Sequence, residues 1–343
     1  MKEKQGTHNS LLPVIMKNSA RANRSEFNFV WLFAIIAGAA ILVLAIYGAT
    51  RFADTFRFQS DTEIAKQIEI ITDPLQAGFA EGSFGKISFR AETRINNRCY
   101  DDEFGKNEIS VATRSRIGEE WKPAGAEISI HNKYIFSSPS NSGEEYYVFS
   151  KPFNFPYKVA DLIFLTSEKY CFIDTPEEIE DEILGLNIPN IAVENCTGAD
   201  DEMKVCFGSS GSSSCGNRDA VVYGACVSEC GGLGVYHEGS IIKDGEIMEY
   251  AGSLMYAGIF SDKEIYDCNV KRLMYRTAKI AEIFSAKADL MNGRDCNTNL
   301  KPDLFLMKGM AMNATSEDLL PLNSFVKQVK TKNERERSQC GLW

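Results

Sequence analysis

The chain has 343 residues, 44% of them hydrophobic and 24% charged, a composition that excludes wholesale disorder and allows a sizeable core. A formal net charge of -10 excludes the basic face that a nucleic-acid binder needs to displace counterions. No internal repeat and no glycine-rich nucleotide loop is visible, and no cofactor is expected.

Residues 1–28 carry Lys2, Lys4, Lys17, Arg21 and Arg24 against Glu3 and Glu26. Residues 29–50 then read FVWLFAIIAGAAILVLAIYGAT, without a formal charge. As a helix rising about 1.5 Å per residue, this stretch spans roughly 33 Å, enough for a hydrocarbon core of about 30 Å. Trp31 and Tyr47 stand near its two ends, where amphipathic rings prefer the headgroup level. The basic excess ahead of it predicts a cytoplasmic segment over 1–28 and an extracytoplasmic chain after Arg51. A cleaved secretory signal would have a shorter apolar region, of about 7–15 residues, and a small-x-small site behind it. An uncleaved single-pass anchor fits better.

Arg24-Ser25-Glu26-Phe27 leads straight into the apolar stretch and resembles the processing site of prepilin-type (type IV pilin-like) signal sequences. The resemblance covers Arg24 to Thr50 only. It implies cleavage after Ser25, Glu26 as the new N-terminus, and a retained helix that serves as the packing spine of a filament. The fifth residue of such a mature chain would be Val30, where the bacterial type usually has Glu.

Residues 51–74 read as an amphipathic stalk helix with Phe52, Phe56, Ile64, Ile68 and Ile71 on one stripe and Pro74 ending it. The remainder, 75–343, is predicted as one extracytoplasmic α+β domain, with a subdivision near 196–230 left open. From Gly85 to Cys171 the pattern has period two: KISFRAETRI, NEISVATRS, AEISIHNKYIF, EYYVFSKPF, DLIFLTS and KYCFID predict an antiparallel sheet. Thr175-Pro176 introduces a short acidic helix over 177–186, with the threonine as its cap. Shorter strands follow at NIAVENC, MKVCFG, AVVYGACV and LGVYHEG. A long helix spans 262–291, with Ile265, Cys268, Leu273, Ile280, Phe284 and Ala288 on its apolar face and Lys271, Arg272, Lys279 and Lys287 mostly outside it. Thr315-Ser316-Glu317-Asp318 opens a final helix.

All ten cysteines follow the apolar segment: Cys99, Cys171, Cys196, Cys206, Cys215, Cys226, Cys230, Cys268, Cys296 and Cys340. An even count confined to one side predicts disulfides in an oxidising compartment. Only Cys226 and Cys230 approach the close spacing of zinc ligands, and a second such pair is missing. A continuous helix would keep Cys268 roughly 35–40 Å or more from Cys296, too far for a disulfide. Cys268 is therefore expected to reach the sheet, with Cys226 and Cys230 as candidates, and Cys296 to reach Cys340.

Catalytic signals are sparse. The histidines are His8, His131 and His237, and HExxH is absent. Neither Ser210 nor Ser213 sits in a G-x-S-x-G elbow. Ser324 and Lys327 match S-x-x-K without its companion motifs. The acids Glu177, Glu178, Glu180, Asp181 and Glu182 diverge around a helix, which favours a solvated face over a calcium site. Asn195-Cys196-Thr197 and Asn313-Ala314-Thr315 are glycosylation sequons. The first reading is a non-enzymatic anchored surface protein for binding or structural assembly, whose partners are the lipid bilayer and further copies of the chain or other surface proteins. A pilin-like filament subunit is the alternative, and a membrane-tethered hydrolase using Asp/Glu or Ser/Lys is the rival from another class.

Overall fold

A computed structural model of the chain describes residues 29–76, 84–114, 120–199, 201–208, 214–216, 218–225, 235–294, 296–336 and 340–343. It divides into two units, Met1–Asp54 and Thr55–Trp343. Ser25 and Glu26 lie outside the described residues, as do Cys226, Cys230, Ser210 and Ser213.

Helix α1 runs from Phe29 to Gln76 without a break. Within the first unit its apolar side chains, among them Phe29, Trp31, Phe33, Ile41 and Leu44, are exposed. The expected stop at Pro74 is displaced to Gln76. A proline spoils the bond to the carbonyl one turn back, so here it costs one bond in a turn that is already the last. The expected apolar stripe is buried only in part: Phe52 and Phe56 are exposed, whereas Asp61, Ala65 and Ile68, at helical spacing, are buried.

The second unit is α+β. Its first sheet comprises β1 (Phe84–Tyr100), β2 (Lys106–Thr113), β3 (Ile128–His131), β4 (Tyr134–Phe136), β5 (Ser140–Asn154) and β6 (Lys158–Thr166). Their order is β3-β2-β1-β5-β6-β4, antiparallel throughout except for the parallel pair β4–β6. The stretch 126–136, expected as one strand, is therefore two strands at opposite edges. Asn132, at φ 58, turns the chain between them, and a two-residue link between opposite edges requires the sheet to curl. Asn107 of β2 closes the seam in place of a ladder: its Oδ1 accepts from Ile135 N at 3.3 Å and its Nδ2 donates to Ile135 O at 3.4 Å.

Period two has a direct outcome at β5 and β6. Tyr146, Val148, Ile163 and Leu165 face a small core shared with Ala65 and Ile68 of α1. Tyr147, Phe149, Leu162 and Phe164 face the larger core on the other side. Both faces of these strands are thus covered.

The second sheet is mixed, and KYCFID, expected in the antiparallel sheet, supplies its first strand, with parallel neighbours on both sides. Strands β7 (Lys169–Ile173), β8 (Ile191–Val193), β9 (Glu202–Phe207), β10 (Ala220–Ala225), β11 (Val235–Lys243) and β12 (Glu246–Ala251) take the order β12-β11-β10-β9-β7-β8. The pairs β7–β8, β7–β9 and β9–β10 are parallel. Helix α2 (Glu177–Leu186) makes the crossover from β7 to β8. Its expected threonine cap is absent: Pro176 O accepts from Ile179 N and Glu180 N, and Thr175 Oγ1 has no partner among the described residues.

Four further helices complete the larger core: α3 (Leu254–Phe260), α4 (Lys263–Asn292), α5 (Lys301–Met312) and α6 (Leu319–Glu336). A 3-10 turn over Ser316–Asp318 leads into α6, with a capping box between Thr315 and Asp318. Arg272 of α4, expected outside the apolar face, is fully buried. Its guanidinium donates to Asn107 Oδ1 and Asn269 Oδ1 at 2.6 Å, to Phe104 O at 2.9 Å and to Lys133 O at 3.0 Å. It also lies 4.8 Å from the centre of the Tyr134 ring. Carbonyls and one aromatic face stand where a carboxylate would be usual, and burial pulls this base down to about 10.

Candidate functional site

The stem of α1 is held from three sides. Thr62 Oγ1 accepts from Ala126 N at 3.0 Å, and Lys133 donates its ammonium to Glu69 O. Asp61 Oδ2 accepts from Thr113 Oγ1 at 3.5 Å, and burial pushes its carboxyl above the ordinary range. Gly125 is required here, because a Cβ would meet Thr62 N at 2.8 Å and Asp61 C at 3.0 Å.

A cleft of about 470 Å³ opens between α2, the start of β11 and the N-terminus of α3. Lys151 of β5 is ion-paired with Glu182, and Tyr256 donates its hydroxyl to the same carboxylate. The Lys151 ammonium also sits 4.6 Å from the centre of the Tyr256 ring. At the rim, His237 Nε2 lies 3.9 Å from Glu178 Oε2. Two carboxylates therefore line one cleft, which sequence reasoning missed because its groups come from four distant elements. Glu178 and Glu182 are one turn apart on α2 and stand side by side. A glycosidase pair must flank the scissile bond from opposite sides, and two acids side by side on one helix do not have that arrangement.

The other candidates scatter. Ser324 Oγ donates to Leu320 O at 3.2 Å, and Lys327 is paired with Glu238 at 2.8 Å, so the S-x-x-K residues serve separate contacts. His131 is exposed at the end of β3. Cys171, Cys196 and Glu202 could group around a metal by distance, but the two sulfurs are bonded to each other. No family model, curated protein or solved structure matches this chain.

Four cysteine pairs are at disulfide geometry among the described residues. Cys206 is joined to Cys215, and Cys296 to Cys340 with Cα atoms 5.5 Å apart. Cys268 is joined to Cys99 of β1, Cα atoms 6.0 Å apart, which corrects its expected pairing with Cys226 or Cys230. The first turns of α4 pack beside the end of β1, so Cys99 is the sulfur within reach. Asn195 and Asn313 are both exposed.

Proposed function

We propose that the chain is a single-pass membrane protein whose α1 anchors an extracytoplasmic, disulfide-braced domain used for binding or structural assembly. The observation that carries this reading is the exposed apolar run of α1, long and apolar enough to cross a membrane and with none of that window buried. A helix that is hydrophobic all round needs a nonpolar surrounding. Four cysteine pairs at bonding distance and the basic N-terminal flank support the same orientation. Alkaline extraction of native membranes tests the anchor: the chain stays in the pellet, and release into the supernatant contradicts the proposal.

One observation favours a second, pilin-like reading: Ala65 and Ile68 of α1 pack into the small core of the first sheet. A filament spine needs such a helix, apolar where subunits pack and fixed to its own head domain. N-terminal sequencing of the mature protein separates the two. A start at Glu26 supports filament assembly, and an intact Met1 supports the plain anchor.

A further inference from the structure

The two sequons look alike in sequence and differ in structure. Asn195 lies in a segment, 195–199, without regular secondary structure. Asn195 and Thr197 are exposed, while Cys196 between them is half-buried and tied to Cys171, Cα atoms 5.4 Å apart. The Thr197 hydroxyl accepts one long bond, from Ala199 N at 3.4 Å, and donates none among the described residues. At the second sequon Ala314 is 3% exposed. There Thr315 Oγ1 donates to Asp318 Oδ2 at 2.8 Å, and Thr315 N donates to the same oxygen at 2.9 Å.

We infer that Asn195 is an N-glycosylation site of the folded protein and that Asn313 is not. An oligosaccharide transferase reads the sequon through the third-position hydroxyl as well as the asparagine. At 195–197 both groups face solvent, and the disulfide holds only the residue between them. At 313–315 the same reading would require breaking the capping box and lifting Ala314 out of the core, which undoes the start of α6. The co-reactant is an oligosaccharide carried on a lipid phosphate or diphosphate, which a membrane transferase uses. Asn195 Nδ2 attacks the anomeric carbon, the carbon–oxygen bond to the phosphate breaks, and a carbon–nitrogen bond forms. The amide gives up one proton and the lipid phosphate leaves as the anion.

The inference rests on the extracytoplasmic placement proposed above, and the peptide that carries Asn195 reports on that placement too. Protein isolated from its native membrane, with thiols blocked before lysis, is digested without reduction and mapped by mass spectrometry. The expected result is a Cys171–Cys196 linked peptide bearing a hexose-containing mass on Asn195, with Asn313 bare. Thr197→Ala removes the mass while leaving the link, and Thr315→Ala leaves the mass on Asn195 in place. A linked peptide with bare Asn195 overturns the glycan site while the placement stands. Blocked free thiols at Cys171 and Cys196 with bare Asn195 overturn both. Equal occupancy of Asn313 overturns the argument from the hydroxyl's partners.

Discussion

Arg272 Nη1 in the long helix α4 donates to Asn107 Oδ1 of β2 at 2.6 Å, and both side chains are fully buried. Asn107 in turn holds the Ile135 backbone, so one guanidinium fixes the seam of the curled sheet to the helix across it. Carbonyl and amide oxygens of the protein stand around the buried cation.

Removing that guanidinium takes the buried donor from Asn107 Oδ1, Asn269 Oδ1, Phe104 O and Lys133 O. Arg272→Ala is predicted to cost about 3–5 kcal/mol, the range for breaking a buried charged network. Arg272→Lys recovers little of this, because one ammonium cannot reach four acceptors spread over a strand, a helix and two loops. Denaturant unfolding of the full chain in detergent measures both. A loss of under about 1 kcal/mol, the scale of a surface contact, would contradict the network's role.

The disulfides should differ in weight by the chain they close. Sequence separations are 169 for Cys99–Cys268, 44 for Cys296–Cys340, 25 for Cys171–Cys196 and 9 for Cys206–Cys215. Loop-closure entropy then predicts roughly 5 kcal/mol for the longest and roughly 3 kcal/mol for the shortest. Paired Cys→Ala variants, compared by thermal unfolding, should fall in that order. An equal or larger loss at Cys206–Cys215 would sink the ranking.

Asp61 gives a pH dependence of known sign. Burial raises its folded value above the unfolded one, so between the two values the folded chain binds more protons. Its contribution is complete below the unfolded value and is lost as pH rises through the folded one. Asp61→Asn removes this dependence and should stabilise the stem relative to wild type at neutral pH. Unfolding midpoints at mildly acidic and neutral pH check it; a wild-type–variant difference that does not change with pH refutes it.

Much of the fold is legible in the residues. Alternation marks β1, β2, β5 and β6 because one face of each meets a core, and the apolar run of residues 29–50 is readable from length alone. Asn132 was the missed punctuation: its left-handed φ splits 126–136, while period two runs on across the turn. Strand β12 had a signal in Asp244-Gly245, both at positive φ, the dipeptide preferred in a two-residue hairpin turn. Helix α3 had none, since all seven of its residues are buried and no polar face betrays a period. Arg272 reads as a surface residue because three of its four oxygen acceptors lie 139 to 168 positions away in sequence. The cleft was illegible for the same reason, with Lys151, Glu182, His237 and Tyr256 meeting only in the folded chain.

The placement of the large unit rests on α1 crossing a bilayer, and a paired reporter experiment tests this most directly. A fusion at residue 10 should report the cytoplasm, and one at residue 150, inside β5, should report the extracytoplasmic side. A cytoplasmic signal at residue 150 would contradict the account.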